Sequence, residues 1–150
     1  MPTFAKRNPS WLFLPLWQIF CNFADITHKS YILKTNNFKD TIVEAIQDKK
    51  GTAICAIDLS AIPTAPASQF IICQGKTPAQ TSAIADNIID KAREFAGRKP
   101  DSLHGIRNGQ WIIIDYGDTM VHVFTPDFRE FYNLEDLWID GDIDRIPDLD

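Results

Sequence analysis

From Phe38 onward the apolar positions recur first at helical spacing and then at strand spacing, and the changes between the two mark out the elements. Phe38, Ile42, Val43 and Ile46 share one helical face, and Gly51 after Lys49 and Lys50 is a fitting stop. Ala53–Asp58 (AICAID) is a short apolar run that predicts a strand. Residues 60–68 contain Pro63 and Pro66 and read as loop. Gln69–Cys73 (QFIIC) predicts a second strand, buried on both faces if it is parallel to its neighbour. Thr77, Pro78 and Gln80 combine a helix cap, a proline at the first turn and a capping box. Ile84, Ala85, Ile88, Ile89, Ala92, Phe95 and Ala96 then line one helical face up to Gly97. After a polar stretch over 98–109, with a short edge strand expected near Leu103–Arg107, two strands follow. These are Trp111–Tyr116 and Thr119–Thr125, joined as a hairpin at Gly117-Asp118. Thr125-Pro126 opens a short helix through Tyr132, and Leu134–Trp138 predicts one more turn.

The order helix, strand, strand, helix, strand, strand, helix predicts an α/β domain. Its centre is a mixed sheet of about five strands, flanked by helices. The domain is expected over residues 38–140. Residues 141–150 then form an acidic, solvated or partner-facing tail, since the stretch from Glu135 carries seven acids and one Arg145. Residues 1–37 differ from the rest: Lys6, Arg7, Lys29 and Lys34 stand against the single acid Asp25. The run Trp11–Phe23 is apolar but interrupted by Pro15. A basic start before a short apolar run imitates a signal peptide, but no small-residue cleavage site follows. Ile19 and Phe20 are too bulky for a lipoprotein signal before Cys21. The expectation is a poorly ordered extension, or a start placed upstream of the true one, although the only other methionine is Met120.

Composition narrows the function classes. Twenty acids against fifteen Lys and Arg give a net charge of −5. That disfavours nucleic acid as the main partner and suits a basic protein. Cys21, Cys55 and Cys73 are odd in number and form no CxxC, as expected of a reduced cytoplasmic protein. No apolar run reaches the roughly 20 residues of a membrane span.

The densest set of chemical groups lies in WIIIDYGDTMVHVFTPDFREFYNLEDLW, residues 111–138. An enzyme reading recruits Asp115, Asp118 and His122 to metal ions, as in a metal-dependent nucleotidyltransferase or hydrolase. The spacing opposes it. Carboxylates on one strand face are an even step apart, whereas Asp115 and Asp118 are three apart and straddle a turn. The two aspartates suit turn chemistry, and His122 between Val121 and Val123 suits a hydrogen-bonded structural role. Gly75-Lys76-Thr77 is no phosphate loop, because position 70 is Phe70. Trp111, Tyr116, Tyr132 and Trp138, beside turns and element ends, are as readily interface anchors as core.

The same stretch closely resembles the signature of the ribosomal silencing factor (Iojap-related) family. That signature has a leading Trp (Trp111), an Asp-Tyr-Gly-Asp turn (Asp115–Asp118) and a Val-His-Val-Phe strand (Val121–Phe124). Arg-x-Phe-Tyr (Arg129–Tyr132) and Leu-Glu-x-Leu-Trp (Leu134–Trp138) follow. TIVEAIQDKKG and FIICQGKTPAQTSAIAD match upstream, so the likeness runs from Phe38 to Asp140. Ser68-Gln69 and His104 depart from the family pattern, and the N-terminal extension has no counterpart in it. The resemblance implies a nucleotidyltransferase-like fold without catalytic carboxylates, no enzymatic activity and no cofactor or metal. It implies binding to the large ribosomal subunit through its fourteenth protein, at the face where the small subunit docks. Subunit joining is thereby blocked and translation repressed under nutrient limitation. It further implies homodimers when free. Trp111 matches the family's partner-contacting Trp, and Tyr116, Asp118, Arg129 and Tyr132 join it as expected partner-binding residues.

Overall fold

The computed structural model describes residues 37–149. Its helices are α1 (Phe38–Asp48), α2 (Pro78–Ala96), α3 (Pro126–Tyr132) and α4 (Leu134–Leu137). Its strands are β1 (Thr52–Asp58), β2 (Gln69–Gln74), β3 (Ser102–His104), β4 (Trp111–Asp115), β5 (Thr119–Phe124) and β6 (Asp142–Ile146). They form one sheet in the order β3-β4-β5-β2-β1-β6. Only the central β2–β5 pair is parallel, and the other four pairs are antiparallel. The fold class is therefore the expected mixed α/β one, with six strands instead of five.

The two long helices begin where the sequence supplies a cap. Asn37 accepts a hydrogen bond from the Lys39 amide at 3.2 Å, satisfying one orphan donor of α1. Thr77 Oγ1 does the same for the Gln80 amide of α2, also at 3.2 Å. The Gln80 side chain accepts from the Lys76 amide, and its Nε2 donates to the carbonyls of Lys49 and Lys50. One residue thus caps α2 and ties it to the end of α1. α2 stops at Gly97, whose φ of 63° is the left-handed conformation that costs glycine least.

Strand alternation then divides the core by faces. Ile54, Ile71, Cys73, Ile112, Ile114, Val121 and Val123 point to one side. There they pack on Ile42, Ala45 and Ile46 of α1 and Ile84, Ala85, Ile88 and Ala92 of α2. Cys55, Ile57, Phe70, Ile72 and Phe124 point to the other, beneath Leu134 and the half-buried Phe128 and Trp138. Cys55 and Cys73 are buried free thiols, and burial pushes the Cys73 thiol up to about 12. Cys21 and the apolar run Trp11–Phe23 lie outside the described residues.

Two differences from the sequence expectation concern edges. The edge strand near 103–107 is shorter, Ser102–His104. Gly105 follows at φ 81°, where a Cβ would collide with the Trp111 carbonyl. The acidic stretch after Asp140 does not stay apart from the domain. Asp142–Ile146 pairs antiparallel with β1, Ile54 opposite Ile146 and Asp58 opposite Asp142. Ile143 and Ile146 pack against opposite sides of the sheet, while Asp142, Asp144 and Arg145 remain exposed. Charges on an edge strand discourage pairing with another chain, which reconciles the acidity with strand structure.

Candidate functional site on the open face of the sheet

The face opposite α1 and α2 is covered by the short helices α3 and α4 and by the loop that carries Leu59 and Ala67, and it gathers a cluster of aromatic side chains. Trp111 stands at the start of β4 and packs nearly parallel on Phe124 of β5, ring centres 5.0 Å apart. Tyr132 lies against the same indole at 4.5 Å. Phe131 meets Tyr132 edge-on at 5.0 Å, and Phe128 lies 6.1 Å from it. Phe131 is 81 % exposed and Tyr132 43 %, with Leu137 at the end of α4 and Ile139 beyond it also open to solvent. Asp127, Phe128, Phe131 and Tyr132 enclose a shallow hollow. A row of rings therefore climbs from the buried Phe124 through Trp111 and Tyr132 to the exposed Phe131.

His122 fixes the indole from beneath. Trp111 Nε1 donates to His122 Nδ1 at 3.2 Å, so the neutral ring carries its own proton on Nε2. Phe70 packs on the imidazole at 4.7 Å and on Trp138 at 5.7 Å. Burial lowers the His122 pKa to about 4, opposed weakly by the charge of Glu135. Its Nε2 finds no partner among the described residues. The histidine is thus a neutral prop for Trp111, which agrees with the structural role its sequence context suggested.

The five expected partner-binding residues do not gather in one place. Trp111 and Tyr132 touch each other on the open face. Tyr116 is 4 % exposed and belongs to the core on the helix side, edge-on to Phe38 at 4.9 Å. One step beyond β4, strand alternation turns its side chain inward, where it packs in the core. Asp118 lies at the same turn, roughly 13 Å along the strand from Trp111 at ~3.3 Å per residue. It accepts from Arg98 Nη2 at 2.6 Å, and this guanidinium holds its carboxyl below the usual carboxylate range. Arg98 also donates to the Tyr116 carbonyl and lies 4.1 Å over the Phe38 ring, closing the end of α2 onto the turn. Arg129 is turned inward, 11 % exposed, and paired with Glu135. Phe131 escaped the sequence reading. The Phe128–Tyr132 step of four marks the helix face that meets Trp111, and Phe131 lies off that face.

The acid and histidine groups do not converge either. Asp115 Oδ1 accepts from the Gly117 amide at 2.7 Å, the turn role expected of it. Asp118 is engaged by Arg98. Among the described residues no three His, Cys, Asp or Glu side chains are grouped to hold a metal ion. No described helix is long and apolar enough to cross a membrane. What this face offers is an exposed aromatic ridge on a rigid sheet, with acids on its flanks: Asp127 and Glu130 on α3, Asp136 on α4.

A mixed sheet closed by helices on one side and carrying an aromatic ridge on the other is the architecture of a small mixed α/β module of the Iojap-like class. The family model described as "Ribosomal silencing factor during starvation" matches residues 33–150, and the chain belongs to that family. The ribosomal silencing factor RsfS of Bacillus subtilis is 40% identical over 106 residues, covering 71% of this chain and 86% of that protein. The chloroplastic protein Iojap of Zea mays is 32% identical over 69 residues, 46% of this chain and 29% of that protein. A crystal structure of a Chromobacterium violaceum protein superposes with a TM-score of 0.64 at 33% identity, covering 67% of this chain and 82% of the other. One from Bacillus halodurans gives 0.59 at 37% identity, covering 66% and 90%.

Proposed function

We propose that this protein is a non-catalytic anti-association factor of the cytoplasm. It binds the large ribosomal subunit through its fourteenth protein and blocks joining with the small subunit by bulk, repressing translation when nutrients are scarce. The observation that supports this most is the ridge Trp111–Tyr132–Phe131, which rises from the core to full exposure. Large aromatic side chains in such a position are the usual anchors of protein interfaces. The flanking acids and the net charge of −5 favour a basic protein over rRNA phosphate. Exclusion requires only affinity and position, and ~800 Å² per partner suffices for stable docking.

Trp111, Tyr132 and Phe131 are the contact residues in this reading. Asp118, at the far end of β4, would reach only a partner that spans the sheet. The family likeness extends the proposal to homodimers when free, which sedimentation velocity would read directly. The deciding experiment mixes purified large and small subunits with the protein in saturating excess and resolves them on a sucrose gradient. The expected result is co-sedimentation with the large subunit and loss of the joined peak. Normal pairing at saturation overturns the proposal.

A further inference from the structure

α3 carries the exposed end of the aromatic ridge, yet it buries none of its seven residues fully. A helix that short has no stability of its own, so tertiary contacts must place it. Its rings supply some of these contacts. Arg129 adds polar ones from a single side chain. Its Nη1 donates to the Ala53 carbonyl at 2.6 Å. Its Nε donates to Glu135 Oε1 at 3.0 Å, and Nη2 reaches the same oxygen. Both side chains of this pair are 11 % exposed.

The carbonyl that receives Arg129 is free for a structural reason. Thr52 pairs with Gln74, and the next partners are Cys55 and Ile72, so β1 holds one extra residue against β2. This bulge places Ala53 at φ 51°, a left-handed conformation that strains a residue with a Cβ. Its amide donates to Asp148 Oδ1 at 2.7 Å. Both polar groups of Ala53 are therefore served by side chains from the last quarter of the chain. The bulge creates an acceptor on the sheet, and Arg129 uses it to fasten α3 and, through Glu135, α4.

We propose that Arg129 is a positioning residue for partner recognition: it latches α3 to the β1 bulge, so that Phe131 and Tyr132 stand preformed beside Trp111, and does not itself touch the partner. This rests on the reading that the ridge binds the large subunit. Without the latch, binding must first order α3, and affinity falls by that cost.

The test uses the full chain with Arg129→Ala and Arg129→Lys, each alone and combined with Phe131→Ala. Hydrogen exchange of residues 126–137 is followed in parallel with binding to purified large subunits. Glu135→Gln, which keeps the side-chain shape, repeats both measurements if the alanine variant unfolds. Arg129→Ala is expected to weaken binding by ~10-fold or more through the ordering cost. Protection should be lost over 126–137 and kept in the central strands. Lysine is not expected to rescue, because an ammonium lacks the planar fork that serves Glu135 and the Ala53 carbonyl together. In the Phe131→Ala background the effect of Arg129→Ala should shrink, because both act through one surface. Weakened binding with α3 fully protected overturns the proposal and makes Arg129 a direct contact. Lost protection with unchanged binding overturns it too. Failure of the wild type to bind large subunits overturns the partner reading instead, while the exchange measurement still reports on the latch.

Discussion

The two faces of the sheet are built from the same strands but to different ends. The helix side is aliphatic and closed: Ile42, Ile46, Ile71, Ile84, Ile88, Ile112 and Ile114 show no exposed surface. The other side holds Trp111, His122, Phe124, Phe70 and Trp138, graded from buried to open. Aliphatic side chains fill volume without directional demands, which suits a face whose task is cohesion. Aromatic rings keep large flat areas and polar handles at the rim, which suits a face that must meet another molecule. On the proposed reading, stability and recognition are divided by strand parity: even positions of β4 serve one and odd positions the other.

The division can be broken most forcefully from the helix side. Ile88→Ala is expected to cost about 2–5 kcal/mol in urea unfolding, the range for truncating a buried large aliphatic. Large-subunit binding by the fraction still folded should be unchanged. A cost under ~1 kcal/mol would mean that this face is not the stabilising one.

His122 tests the boundary between the faces. Its folded pKa, about 4, lies below the ordinary 6.5, so the unfolded chain binds the extra proton between those values. Its contribution is complete above pH 6.5 and is lost as pH falls towards 4, about 3 kcal/mol in all at ~1.4 kcal/mol per unit. Urea titrations between pH 7 and 4 should show this slope for the wild type and a flatter one for His122→Gln. Equal slopes would place the histidine in contact with solvent.

Phe131→Ala sharpens the comparison by isolating recognition. An 81 % exposed ring should change stability by no more than ~0.5 kcal/mol. Its loss should weaken large-subunit binding by about 2 kcal/mol, near thirtyfold, as for an interface anchor. Trp111→Ala should differ from it. The indole is half-buried and bonded to His122, so melting temperature and binding should fall together.

The smallest effect belongs to the far turn. Asp118→Asn removes an exposed ion pair with Arg98, typically worth ~0–1 kcal/mol. Binding that falls as sharply as in Phe131→Ala would extend the recognition surface across the whole sheet.

How much of this was legible in the sequence follows the same parity. The helical faces, the caps at Thr77 and Thr125, the hairpin at Gly117 and the class of fold were all written in periodicity and turn chemistry. Thr125 differs in detail: its hydroxyl bonds the Gln110 carbonyl and makes no cap bond to α3. β6 was not legible, because Asp142–Ile146 has its two isoleucines three apart among charges, a pattern that imitates a solvated tail. The orientations of Tyr116 and Arg129 were not legible for a related reason. A polar or amphipathic side chain near a turn can point either way, and only the tertiary partners, Phe38 in one case and Glu135 with Ala53 in the other, decide the direction.

The bond between β1 and β6 has a kinetic side. Ile54 must find Ile146, almost the entire length of the domain away, and the parallel β2–β5 pair brings Gln69 to Thr119 across α2 and the two strands that follow it. Such long closures slow collapse into the native topology. Until Asp142–Ile146 has joined β1, the sheet therefore lacks its outer seam.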